Sequence, residues 1–342
     1  MTPDDPALDT LLLPFQRELL QWPAGTAFLR ARCNPALLRE APPQLVCEQT
    51  FKPDADALSS AGLTVTPSLE GRHALVLVLP PRQRDEARAL IARAIGMIQP
   101  GGRVVVAQGN NEGARSIEQD LARIAGLLQT LTKNRCRVFW TEPLDGPINA
   151  ALCAEWLALD AVRPIGDGRF VSRPGLFAWD RIDAASALLA RHLPSDLRGS
   201  AADLGAGFGY LSAGLLDRCN RLERIDLYEA EARALDLARI NLRAHESRVN
   251  IHYHWHDVTA GLPHEYDIIV TNPPFHTGAG RERPDIGRRF IAVAAEALKS
   301  GGQLWLVANR HLPYETALSS GFGQVRTVAQ EAGFKIIQAT RR

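Results

Sequence analysis

An apolar run of about 18 residues, the least expected of a membrane-spanning helix, occurs nowhere in the 342-residue chain. The acidic opening "MTPDDPALDT" has neither the basic flank nor the apolar core of a secretory signal, so none is expected. Cysteine is sparse: Cys33, Cys47, Cys136, Cys153 and Cys219 are odd in number, scattered, and never spaced as CxxC. That argues against a disulfide framework or a zinc site and points to a reducing cytoplasm. Net charge is also lacking, at +1. A chain that coats nucleic acid by global charge is excluded, and any nucleic acid would have to be held by a local basic patch. What remains is an ordinary globular balance, 46% hydrophobic and 23% charged, with length for two domains.

Those two domains echo each other. "HALVLVLPP" (73–81) parallels "YDIIVTNPP" (266–274), and "IQPGGRVVVAQGN" (98–110) parallels "LKSGGQLWLVANR" (298–310). Each half reads strand, Pro-Pro, helix, Gly-Gly turn, strand. The helical segments "RDEARALIARAIGMI" and "RRFIAVAAEAL" carry apolar residues at three-to-four spacing, and strands alternating with helices predict an α/β fold with a parallel sheet. The expected domains are 1–155 and 165–342, divided near the turn-forming "RPIGDG". The halves differ beside Pro-Pro. Twenty positions separate Pro81 from Gly101, but 27 separate Pro274 from Gly301, and Leu79 and Arg82 stand where the second half has Asn272 and Phe275. The first half keeps the scaffold and loses the polar and aromatic groups.

In the second half, "AADLGAGFGYLS" is a strand followed by Gly205, Gly207 and Gly209 and then a helix. Glycines there let the backbone turn tightly and approach a ligand. The next strand ends in Glu229, 24 positions past Gly205, where a carboxylate can accept both hydroxyls of a ribose. A dinucleotide-binding domain would show the same pair. The third strand ends in Asp257, followed by Val258. Asp257 can accept from an adenine amino group, or it can simply cap a turn. The fourth strand, "DIIV", runs into "TNPPFHTG". Two prolines forbid its continuation, because each fixes φ and lacks an N–H. Asn272 is thereby left at the carboxyl edge, where open α/β sheets bind ligands.

This order of glycine loop, acid, acid and Asn-Pro-Pro-Phe resembles class I S-adenosylmethionine-dependent methyltransferases that act on exocyclic amines of bases or on amide nitrogens. The chemistry is intelligible. An aromatic amine delocalises its lone pair into the ring and is a poor nucleophile. Acceptors at Asn272 and at the Pro273 carbonyl would draw the nitrogen toward tetrahedral geometry, and Phe275 would stack on a flipped base. Positioning and dipoles then carry catalysis. More of the chain, in "GNNEGARSIEQDL", "RFVSRPGLFAWDRIDAASALL", "NPPFHTG" and "NRHLPYETAL", is similar to the bacterial 16S rRNA guanine-N2 methyltransferase family of RsmC type. The chain departs from that family's pattern at Trp179 and Ala185, where the family has Arg and Gly. The resemblance implies two tandem Rossmann-like methyltransferase domains, the N-terminal one degenerate. It implies S-adenosylmethionine as the methyl donor, with no metal. The cofactor set would be Asp203, Gly205, Gly207, Gly209, Glu229, Asp257, Val258 and Asn272; the catalytic set would be Asn272, Pro273, Pro274 and Phe275. The implied substrate is 16S rRNA within small-subunit particles, acted on by a cytoplasmic monomer.

Two basic clusters suit phosphate: His276, Arg281 and Arg283 after Asn-Pro-Pro-Phe, and Lys133, Arg135 and Arg137 in the first half. A solvated face explains the second cluster slightly better than phosphate contact does. His252, His254 and His256 alternate as on one strand face, but no fourth ligand is suggested, and a packed histidine row is favoured over a metal. Other readings stay open. They are a large-subunit rRNA guanine-N2 methyltransferase, a protein glutamine-N5 methyltransferase, and a non-catalytic RNA-binding assembly protein.

Overall fold

The computed structural model describes residues 5–146, 148–274 and 284–342. The chain forms two compact units, Met1–Val162 with Arg173–Gly175, and Arg163–Ser172 with Leu176–Arg342.

The first unit holds strands β1 (Thr26–Leu29), β2 (Val46–Glu48), β3 (Thr64–Thr66), β4 (His73–Val78), β5 (Ile98–Gly109), β6 (Leu128–Lys133) and β7 (Cys136–Thr141). They form one sheet in the order β3-β2-β1-β4-β5-β7-β6. The second unit begins with the short pair β8 (Arg163–Ile165) and β9 (Phe170–Ser172). It continues with β10 (Arg198–Leu204), β11 (Arg221–Glu229), β12 (Asn250–Trp255), β13 (Tyr266–Thr271), β14 (Leu298–Asn309), β15 (Gln324–Glu331) and β16 (Phe334–Thr340). These last seven give the same order, β12-β11-β10-β13-β14-β16-β15. The tandem α/β architecture expected from the repeat is present. The expected parallel strands form the heart of each sheet, and one end is antiparallel, because the strands β7 and β16 pair antiparallel with both of their neighbours. Each arises as the return arm of a hairpin at the sheet's end, and a tight hairpin can join only antiparallel strands.

Consecutive apolar residues in the central strands reflect cover on both faces. In the second unit Ile268 and Val270 pack with Leu211 and Leu215, from the helix Tyr210–Arg218. Ile269 and Leu304 pack with Ile291 and Ala294, from the helix Pro284–Ala297. The first unit repeats this: Val76 and Val104 pack with Ile91 and Ile95 of the helix Arg84–Gly96, while Leu75 and Leu77 pack with Leu8 and Leu11. Buried strands of this kind are rigid, so the residues at their carboxyl tips hold fixed positions.

Register makes the two units comparable residue by residue. Leu29 lies between Glu48 and Val78 as Leu204 lies between Tyr228 and Thr271. One step further along, Arg30, Gln49 and Leu79 correspond to Gly205, Glu229 and Asn272. In each sheet the strand order reverses between the first and fourth strands, and this is where open α/β sheets place their ligand crevice.

Candidate active site

β10 ends at Leu204, and the chain then turns through Gly205, Gly207 and Gly209 at φ +72°, +56° and +89°. All three lie in the left-handed region, which glycine enters without strain. The loop is pinned to the neighbouring strand tip. Gly205 and Ala206 donate their N–H groups to the Tyr228 carbonyl at 2.8 and 3.2 Å. The Glu229 carboxylate accepts from Gly207 N at 2.7 Å and from Glu231 N at 2.8 Å. Burial pushes the Glu229 carboxyl up, and these backbone donors oppose the rise. A side chain placed at Gly207 would meet nothing within 4 Å, so at that residue the loop presents bare backbone to open space. Beneath it, Asp203 is fully buried. Its Oδ2 accepts from Ser212 Oγ at 2.7 Å, and its Oδ1 has no partner among the described residues. Burial, reinforced by the nearby Glu229 charge and opposed by the Ser212 hydrogen bonds, pushes Asp203 up to about 7.

At the tip of β12, Asp257 acts as a turn cap. Its Oδ1 accepts from Thr259 N at 2.9 Å and Thr259 Oγ1 at 2.7 Å. Val258 is buried. In the histidine row, the rings of His252 and His254 lie stacked with centroids 6.4 Å apart. His254 stacks on Tyr228 with ring centroids 4.6 Å apart, and His256, beyond the end of β12, bonds the Gly261 carbonyl at 2.7 Å. No group of metal-ligating side chains forms among the described residues.

β13 ends at Thr271, and Asn272 stands at its tip beside the glycine loop. Its amide nitrogen donates to Asp183 Oδ2 at 3.0 Å and to Ser186 Oγ at 2.9 Å. Its Oδ1 is buried and has no partner among the described residues. A buried amide oxygen left open is unusual. Pro273 is buried and Pro274 exposed. Phe275, His276, Arg281 and Arg283 lie outside the described residues.

The crevice around Asn272 is walled by Asp183, Ser186, Gly205, Gly207, Tyr210 and Phe177. Sequence reasoning assigned no role to Asp183, Ser186 or Phe177. Asp183 caps the helix Ala184–His192 by accepting from Ser186 N at 2.8 Å, a pattern visible in the sequence but common to many helix starts. Phe177 is 67% exposed, a large aromatic at the crevice rim. Of the two departures from the family pattern, Ala185 is buried in the core and Trp179 lies under the Arg163 guanidinium at 5.8 Å. A larger hollow of about 1040 Å³ opens at the opposite, amino edge of this sheet, lined by Arg198, Arg221, Asp267 and Gln303 among others. It contains none of the strand-tip groups that could do chemistry.

In the first unit the equivalent positions are closed. Arg30 (φ +54°) stands at the Gly205 position and pairs with Glu86 at 3.3 Å. Arg32, at the Gly207 position, pairs with Asp5 at 2.8 Å. Gln49 accepts from Phe51 N at 2.9 Å, as Glu229 does from Glu231, but donates to the Ala31 carbonyl at 2.7 Å. Leu79 is buried. Lys133 and Arg135 sit at the exposed β6–β7 hairpin, while Arg137 is engaged by Glu118 at 2.8 Å.

The family model described as the methyltransferase small domain matches residues 167–338. Ribosomal RNA small subunit methyltransferase C of Vibrio cholerae is 30% identical over 268 residues, 78% of this chain and 77% of that protein. The protein of the same name from Psychromonas ingrahamii is 27% identical over 286 residues, 82% of this chain and 80% of that protein. Among solved structures, the T. thermophilus 16S rRNA N2 G1207 methyltransferase (RsmC), in complex with AdoMet and guanosine, superposes with a TM-score of 0.77 at 26% identity. The alignment covers 99% of this chain and 92% of that one. A second unit built around a glycine loop, an acidic strand tip and Asn-Pro-Pro, preceded by a first unit of the same topology without them, is thus matched over most of its length, and the chain belongs to the ribosomal RNA small subunit methyltransferase C family.

Proposed function

We propose that the chain methylates the exocyclic N2 amine of a guanine in 16S rRNA, using S-adenosylmethionine. The observation that carries this reading is the buried, unpartnered Oδ1 of Asn272 at the crevice beside the glycine loop. S-adenosylmethionine, when bound, supplies an electrophilic methyl on a sulfonium. The residues present fit it: the Gly205–Gly209 loop offers bare backbone for close approach, and the Glu229 oxygens retain lone pairs for ribose hydroxyls. Asp203, Asp257 and Val258 would complete that side of the crevice.

The chain's own contribution is to hold the amine. Asn272 Oδ1 accepts one N–H, and the Pro273 carbonyl would accept the other. Both dipoles favour the positive charge that develops on nitrogen. No strong base is required, because the methylated ammonium is acidic and gives its proton to water. Phe275 would stack on the base, and His276, Arg281 and Arg283 would meet neighbouring phosphates. The first unit, with its closed loop and exposed Lys133 and Arg135, is read as an RNA-docking and folding partner. Assembled small-subunit particles are the proposed substrate and a monomer the proposed state. No described helix is long and apolar enough to cross a membrane. The test is mass spectrometry of 16S rRNA nucleosides from cells with and without the gene, with the modified position mapped. Loss of one N2-methylguanosine is expected; an unchanged 16S profile with a lost 23S modification would refute the assignment.

A further inference from the structure

We propose that Asp183 and Ser186 are positioning residues that fix which end of the Asn272 amide faces the substrate. The inference rests on the amine-methylation reading and adds to it a cause for the orientation of its key group. A primary amide has a donor end and an acceptor end of nearly the same shape, related by a half-turn about its terminal torsion. Only one orientation suits the chemistry. With Oδ1 toward the crevice, Asn272 accepts from the substrate amine; with the NH₂ group there, two donors would face each other.

The surroundings decide between the two. Among the described residues, both acceptors within reach of the amide nitrogen lie on one helix start: Asp183 Oδ2 at 3.0 Å and Ser186 Oγ at 2.9 Å. A flipped amide would set its oxygen against the Asp183 carboxylate, acceptor against acceptor, and forfeit a charge-assisted hydrogen bond. Asp183 is itself held, since the same Oδ2 accepts from Ser186 N at 2.8 Å. Ser186 is buried, at 8% exposure. A single helix cap therefore serves as a fixed socket for the donor end of Asn272, and the unpartnered Oδ1 on the other end follows from it.

The experiment is a double-mutant cycle on the full-length protein, read as single-turnover methylation of 16S rRNA with the wild type as control. Asp183→Ser keeps a capping hydroxyl for the helix, but that hydroxyl is too short to reach Asn272; Ser186→Ala removes the second acceptor. Together they are expected to slow methyl transfer about 10-fold or more, as for a lost ordering hydrogen bond to a charged group. Cofactor affinity, followed by calorimetry with S-adenosylhomocysteine, should change less than about threefold. Asp183→Asn, which keeps an acceptor at the same place, should restore most of the rate. In an Asn272→Ala background the same pair should have no further effect, because residues acting through Asn272 have nothing left to position. A full rate in the folded double variant, or an additional loss in the Asn272→Ala background, would overturn the proposal. A wild-type protein that leaves guanine N2 unmethylated would instead overturn the functional reading on which it rests.

Discussion

Glu229→Gln is the sharpest test of how the glycine loop is held. The wild-type carboxylate receives two backbone donors, Gly207 N at 2.7 Å and Glu231 N at 2.8 Å. A glutamine can keep one of them on its oxygen, but its NH₂ group must then face the other N–H, donor against donor. Position 49 shows where an amide does fit. Gln49 accepts from Phe51 N and gives its NH₂ to the Ala31 carbonyl, because the loop there offers a carbonyl instead of an N–H. In Glu229→Gln one charge-assisted hydrogen bond is lost and a donor is stranded, which costs about 1.5–3 kcal/mol. The ribose acceptor is weakened at the same time. Calorimetry on the full chain should therefore show S-adenosylmethionine binding weaker by about 10- to 150-fold, with circular dichroism confirming the fold. A folded variant that binds within about threefold of wild type would refute both the clamp and the ribose assignment.

Asn272→Ala should leave S-adenosylmethionine affinity near wild type while slowing single-turnover methylation by about 100-fold or more, the usual effect of removing one preorganised polar group at ~2.7–4 kcal/mol of barrier; near-normal rates would sink the mechanism. Asp203 is raised from 3.8 to about 7, so the folded chain holds a proton there that the unfolded chain has lost. Its contribution to stability is present in full below about pH 4, declines as pH rises through about 7, and then levels off. Asp203→Asn should flatten that decline in urea unfolding without cofactor, gaining at most about 4 kcal/mol at pH 8; parallel pH profiles for the two proteins would contradict it. For the hairpin, Lys133→Ala with Arg135→Ala should lower the log–log salt slope of RNA binding by roughly 0.7–0.9 per lost phosphate contact. Adding Arg137→Ala should change it less, since Glu118 already engages that side chain, and an unchanged slope would leave the hairpin a solvated face.

The parallel heart of each sheet was legible because its strands are written as unbroken apolar runs, "ALVLV" and "IIV", as a strand covered on both faces requires. The antiparallel ends were not. β15 is exposed along almost its whole length, and its "QVRTVAQE" carries too little apolar pattern to announce a strand. The same division holds at the site. Gly205, Gly207, Glu229 and Asn272 sit at strand tips whose order along the chain fixes their place on one edge. Asp183 and Ser186 approach Asn272 across separations of 89 and 86 residues. In sequence Asp183 looks like other helix caps, such as Asn34 and Asn149, and Ser186 like any residue of a first helical turn. The alternating spacing of His252, His254 and His256 likewise does not announce that His254 stacks on Tyr228 or that His256 bonds the Gly261 carbonyl.

The first unit shows which parts of this site serve the fold and which serve the ligand. Both units tie the loop after the first strand to the tip of the second through a side chain that also accepts from a backbone N–H two residues on. That tie survives in Gln49, so it belongs to the scaffold. What does not survive is the negative charge, the bare backbone and the amide at the fourth strand. Arg30 and Arg32 project side chains where Gly205 and Gly207 have none, and each is neutralised within its own unit, by Glu86 and Asp5. Restoring a carboxylate at position 49 alone would therefore create no cofactor site. The ground would still be covered by two ion pairs, and Leu79 would still offer no acceptor to an amine. On the proposed reading, binding and chemistry require all three strand tips at once, and among the described residues the second unit alone carries them.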